Sequence, residues 1–210
     1  MNKIQVTKSG TLIVNGIEYN EHPFPASLIK ATEMKWALKL RDEGCIRLSS
    51  VKFYQGLENP ELGDRNEAKG MLKVDGHPME VGSGNEVFIW CSAIPEASPK
   101  VLKRLDASYD AIARIHDVEK FVKRIVLTAK LAGYKLYPHL GKVNYNRGET
   151  VSKDVLNNQR WHYNVFQKSS DYAHQMEYRL SFTNVTFQRI DKNHLDIFLG
   201  KCNDIITIET

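Results

Sequence analysis

The sequence predicts an α+β fold: a curved, largely antiparallel sheet with two main helices and an N-terminal β-hairpin. Two observations carry this. Segments 33–43 and 118–132 place apolar residues at helical spacing, each between a capping residue and a glycine. Around them lie about eight or nine short β-branched or alternating runs, divided by turn residues. No internal repeat, low-complexity run or coiled-coil heptad breaks the pattern.

The chain opens with Ile4–Thr7 and Thr11–Val14 around the pair Ser9–Gly10, then Ile17–Tyr19 after Asn15–Gly16. Turn dipeptides between β-branched runs read as a hairpin. His22–Pro25 breaks the chain, so residues 1–26 read as hairpin and linker and residues 27–210 as the main domain. Ser27–Ala31 reads as a strand and Thr32 as the N-cap of a helix from Glu33 to Glu43. Met34, Ala37, Leu38 and Arg41 form one face of that helix, and Gly44 is its stop. Cys45–Ser49 reads as a strand and residues 53–70 as a polar loop.

Met71–Val74 and Glu86–Ala93 read as strands. The second is continuously apolar, as a strand buried on both faces is, and Pro95 and Pro99 close it. Periodicity does not decide between strand and helix for Tyr109–Ile115. Asp117 caps a firm helix whose buried stripe is Phe121, Val122, Ile125, Ala129 and Ala132, with Gly133 as its stop. Lys142–Tyr145 reads as a short strand, residues 146–162 as a polar stretch and Tyr178–Phe182 as a strong strand. In the tail Leu195, Ile197 and Leu199 share a side, and Ile205, Ile206 and Ile208 close the sheet.

A chain of 210 residues, 42% hydrophobic and 26% charged, can bury a core of its own. Net charge is +4, too mild to demand nucleic acid as a partner. Cys45, Cys91 and Cys202 are odd in number and form no CxxC pair, so free thiols in a reducing cytoplasm are expected. No run has the length to span a bilayer and the opening lacks the apolar core of a signal peptide, so no membrane partner is expected. Neither HxH nor HExxH occurs, no GxSxG marks a nucleophile elbow, and no P-loop or GxGxxG is present. Asp64 and Glu67 stand three apart without further ligands nearby. They read as a turn acceptor and an ion-pair partner, and no metal site is expected. Arg147, Lys153, Arg160, Trp161, His162, Tyr163, Phe166 and Lys168 mix basic and aromatic residues, a weak signal for base stacking; the blander reading is a solvated loop.

Gln175-Met176-Glu177 is the most pointed local pattern. If the segment is extended, Gln175 and Glu177 project from one face and Met176 and Tyr178 from the other. An amide beside a carboxylate suits a site that grips a ribose hydroxyl and stabilises a developing cationic sugar. The competing reading is that Glu177 pairs with Arg179 or Lys168 on the surface.

Several short motifs occur in an order that resembles a bacterial and phage family. They are Leu28–Ala31 and Met34–Asp42, the strand Ile46–Ser49, the loop Gly63–Glu67, the strand Trp90–Ser92, Lys168–Leu180, and finally Ile197–Gly200 with Asp204–Ile205. That pattern is similar in turn to ADP-ribosyltransferases, in which an early Arg or His, a middle Ser or Tyr and a late E/Q-x-E surround NAD. The resemblance implies NAD as substrate, Glu177 as the catalytic carboxylate and Gln175 as the group orienting the acceptor. Ser49 or Ser50 would be the middle element, with Ser92 a lesser substitute, and Tyr54 would stack on the nicotinamide. The first element departs from the pattern: Lys30 stands on the opening strand, and Arg47 would supply the charge from the next.

The expected function is therefore that of an ADP-ribosyltransferase-like protein, of phage or prophage origin, that cleaves NAD and passes ADP-ribose to a protein or nucleic acid. The alternative is a catalytically silent module that captures NAD, a related nucleotide signal, or a host defence protein.

Overall fold

The computed structural model describes residues 4–6, 12–14, 17–18, 24–74, 77–82, 87–145, 147, 150–152, 163–184 and 190–210. The fold is α+β, with an eight-stranded sheet that does not close into a barrel. Three short strands, β1 (Ile4–Val6), β2 (Leu12–Val14) and β3 (Ile17–Glu18), pair antiparallel in a small sheet of their own. The expected turn pairs Ser9–Gly10 and Asn15–Gly16 and most of the 146–162 stretch, Trp161 included, lie outside the described residues.

The main sheet begins with β4 (Leu28–Thr32). Helix α1 (Met34–Asp42) follows, then β5 (Cys45–Ser50). Thr32 is not the N-cap of α1, as its sequence position implies. It ends β4, and Glu33 takes the cap position without a side-chain bond to a helix amide. The orphan amide of Met34 instead donates to Asp110 Oδ1 at 2.5 Å, so a distant loop does the capping. Gly44 does end α1 in the left-handed region, with φ of +66°, and a Cβ there would collide with the carbonyl of Gly200.

Ser50 starts α2 (Val51–Gln55), accepting a bond from the Phe53 amide at 3.1 Å. A hairpin, β6 (Lys69–Val74) and β7 (His77–Gly82), comes next, and then β8 (Val87–Ala93). Pro99 opens the short helix α3 (Pro99–Lys103). The segment that periodicity left undecided is a strand, β9 (Ala111–Ile115). Asp117 caps α4 (Val118–Leu131), accepting from Lys120 N at 2.8 Å. Phe121, Val122, Ile125 and Ala129 are buried as expected, whereas Ala132 lies past the last turn and is exposed.

β10 (Leu136–Lys142) carries Pro138, tolerated because β10 is an edge strand with β12 as its neighbour. β11 (Thr150–Ser152) runs parallel to β6. Two 3₁₀ turns, Tyr163–Phe166 and Ser170–Gln175, lead into β12 (Glu177–Asn184). The chain ends with β13 (His194–Phe198) and β14 (Ile206–Glu209). The strand order is β10-β12-β8-β4-β9-β14, with β5 also on β8 and β13 on β5.

Strand alternation sorts the apolar residues onto two faces. Leu28, Phe88, Trp90, Leu180 and Phe182 meet Phe121 and Ile125 of α4 in the larger core. On the opposite face lie two smaller clusters, Ile29, Ala31, Ala93, Leu102 and Ile112, and Val51, Ala68, Val87, Ile89 and Val165. Among the described residues no helix is long and apolar enough to cross a membrane.

Phe121 is fully buried and its ring lies 5.2 Å from that of Trp90. Phe121→Ala is expected to cost about 3–5 kcal/mol in urea unfolding. A loss under about 1 kcal/mol would show that α4 does not anchor the larger core.

Candidate functional site

β8 pairs with β12 along its whole length, from Val87 opposite Thr183 to Ala93 opposite Glu177. Its other edge is shared. Phe88 and Ile89 face Ser50 and Ser49 of β5, while Ala93 faces Ile29 of β4. Among the described residues no ladder pair holds Trp90–Ser92 on that edge, so the sheet forks there. Lys30 bridges the fork: its Nζ donates to the carbonyl of Cys91 at 2.7 Å and lies 4.9 Å from the centre of the Trp90 ring.

A hollow of ≈ 270 Å³ adjoins this fork, between the two smaller apolar clusters. Ile29, Ala31, Ala93, Leu102, Leu105 and Tyr109 line its apolar end, and Phe53, Tyr54 and Leu57 contribute further walls. Cys91, Lys168, Gln175, Glu177 and Arg179 line its polar end.

That polar end is a saturated buried network built on Arg179, which is 0% exposed. A guanidinium carries five N–H groups. Arg179 Nε donates to Glu177 Oε1 at 2.7 Å, and Nη2 to Glu177 Oε2 at 3.2 Å. Nη1 donates to Glu67 Oε1 at 2.6 Å, and Nη2 to Glu67 Oε2 at 2.9 Å. The fifth bond runs from Nη1 to the carbonyl of Val165.

Lys168 completes the pairing. Its Nζ donates to Glu177 Oε2 at 3.2 Å and to Gln175 Oε1 at 2.7 Å, and lies 4.4 Å from the centre of the Tyr172 ring. Two cations thus face two carboxylates, as buried charges require. Burial pushes the Glu177 carboxyl up, but Arg179 and Lys168 outweigh it, and the net shift is well below the usual carboxylate range. Burial also pushes the Cys91 thiol up to about 12, which makes it a poor nucleophile near neutrality.

Of the residues singled out from the sequence, Glu177, Gln175, Tyr54, Ser92 and Lys30 line the hollow. The extended geometry expected for 175–177 is absent. Gln175 ends a 3₁₀ turn and Met176 sits in the left-handed region with φ of 45°, yet this kink turns both polar side chains toward the hollow. Ser49 is buried and shares a hydrogen bond with His194 Nδ1 at 3.1 Å, and it does not line the hollow. Ser50 is fully buried and its hydroxyl caps α2. Ser92 donates to the carbonyl of Tyr178 at 2.7 Å. Arg47 is set apart: it pairs with Asp196 of β13 at 2.7 Å on an exposed stretch and does not line the hollow. Asp64 accepts from the turn amide of Asn66 and pairs with Arg147, and Glu67 pairs with Arg179.

The sequence signal for the network was present in β12. Glu177 and Arg179 share the face opposite Tyr178, Leu180 and Phe182, so on an interior strand both charges had to be paired inside. The competing reading of Glu177 named the right partners, Arg179 and Lys168, but put them on the surface; all three are buried. Glu67 and Lys30 had no such signal, because their partners lie far away in sequence.

No protein-family model, curated protein or solved structure matches this chain.

Removing Arg179 leaves two buried carboxylates without their main partner. Arg179→Met should cost about 3–5 kcal/mol at neutral pH by urea unfolding. The deficit should narrow on acidification toward pH 3. In the wild type, stability from the depressed Glu177 is present above the unfolded carboxylate pKa of about 4.3 and is lost as pH falls toward the native value. In the variant the unpaired carboxylates are relieved by protonation over the same descent. A deficit that is small, or constant with pH, would contradict this account.

Proposed function

We propose that the chain is a ligand-binding module whose hollow receives the ring of a small nucleotide-type ligand, NAD or a relative, without cleaving it. The observation that carries this reading is the saturation of Glu177 beside an open, aromatic-walled hollow. Its two carboxylate oxygens already accept from Arg179 Nε, Arg179 Nη2 and Lys168 Nζ. A carboxylate held in this way has little capacity left to bind a ribose hydroxyl, and its field is largely cancelled where a cationic sugar would form. Tyr54, Phe53, Tyr109 and leucine side chains line the hollow with apolar surface suited to a flat ring. A partner protein or nucleic acid draws no specific support from this site.

The enzymatic reading stands second. It is favoured by one observation: Gln175, Glu177 and Tyr54, distant in the chain or split by a backbone kink, line the same hollow. In that reading the late carboxylate would have to exchange Arg179 for substrate.

Two measurements on the same sample separate them. Titration with NAD should raise the melting temperature saturably; at a hundredfold excess over Kd the gain is about 2.7 kcal/mol. Chromatography of the same mixture should show no released nicotinamide. Nicotinamide release that disappears in Glu177→Gln would instead establish the enzyme. Absence of any shift with NAD, ADP-ribose or nicotinamide would overturn the nucleotide reading.

A further inference from the structure

We propose that Lys30 is the anchor for an anionic oxygen group on the ligand, so that the hollow selects a ring compound bearing a negative charge over its neutral counterpart. This rests on the hollow being a ligand site, not on the ligand being a nucleotide.

Three cations, Lys30, Lys168 and Arg179, and three carboxylates, Glu61, Glu67 and Glu177, line the hollow. The side chain of Glu61 is 45% exposed and meets His174 at 3.0 Å. Two of the cations are matched within the network, since Arg179 binds Glu67 and Glu177 and Lys168 binds Glu177. Lys30 is not matched. Among the described residues it forms no ion pair; its one hydrogen bond goes to the backbone carbonyl of Cys91, and its other close neighbour is the Trp90 ring. An ammonium has three N–H donors, so capacity remains for a further acceptor. Glu177, whose charge acts on Lys30, is already shared between Arg179 and Lys168.

Burial lowers the Lys30 pKa, and the Cys91 and Glu177 side chains only partly offset it. An anionic ligand group would supply the missing half of a pair to this half-buried ammonium. The apolar end of the hollow, with Leu102, Leu105 and Tyr109, would take the ring that carries the group. A ring carboxylate and the phosphate of a mononucleotide both present such anionic acceptors to the ammonium.

The test uses the whole chain and three probes: benzoate, its neutral counterpart benzamide, and adenosine monophosphate, with binding read by calorimetry. Benzoate or the monophosphate should bind at least about tenfold tighter than benzamide. Lys30→Met should erase that preference while leaving benzamide binding in place. Lys30→Arg, which keeps the charge, should retain a preference and shows that a loss in Lys30→Met is not one of folding. Benzoate alone points to a carboxylate ligand and the monophosphate alone to a phosphate. If benzamide binds as well as both anions, or if Lys30→Met leaves the preference intact, the anchor role is wrong while the hollow remains a ligand site. If none of the three binds to the wild type, the anchor and the ligand site fail together.

Discussion

A guanidinium with no contact to solvent fixes the second face of this sheet. Arg179 sits on β12, an interior strand, and turns its five N–H groups on Glu67, Glu177 and Val165. Each of these comes from a different part of the chain: the loop before β6, the start of β12 and the first 3₁₀ turn. Taking such ions out of water costs several kcal/mol apiece, and only full pairing offsets it. The network is therefore all or nothing. Its members hold the loop 57–68, the second 3₁₀ turn and the strand in one arrangement, and that arrangement bounds the hollow.

The fork in the sheet provides the other boundary. β8 cannot pair with β4 and β5 over the same residues, so the two diverge at Trp90–Ser92 and expose the carbonyl of Cys91 to Lys30. The outcome is a cavity lined by apolar side chains, by an ionically satisfied network and by Lys30, which forms no ion pair among the described residues. Rigidity and chemistry pull apart here. The carboxylate that the E/Q-x-E pattern points to is held as a structural ion, and the groups with remaining capacity are the aromatic walls and Lys30. A site of this make-up favours recognition over bond cleavage.

The long elements were legible because their periodicity is strong. α4 has five apolar positions on one stripe and a capping Asp117, and β8 is apolar on both faces because it lies inside the sheet. The short helices were not. α2 and α3 have five residues each, too few for a helical repeat to show, and they hide in the segments read as a polar loop and as a proline stop. Thr32 misled because local capping chemistry cannot reveal that Asp110, 76 residues beyond Met34, supplies the acceptor. At the site, Gln175 and Glu177 were paired for a reason that does not hold, an extended backbone; the left-handed turn at Met176 brings them together instead. Arg47 was chosen for its charge, but its side chain meets Asp196 across the β5–β13 ladder before it meets anything else.

The ionisation of Glu177 in the folded protein is the quantity on which all of this turns. Carbon-13 NMR of the side-chain carboxyl, followed from neutral pH downward, measures it residue by residue. The account predicts a signal that stays in the ionised position down to the acid unfolding transition. An inflection in the ordinary glutamate range, about 4.3, while the fold is intact would show a carboxylate free of Arg179 and Lys168 and would contradict the claim that it is a locked structural ion.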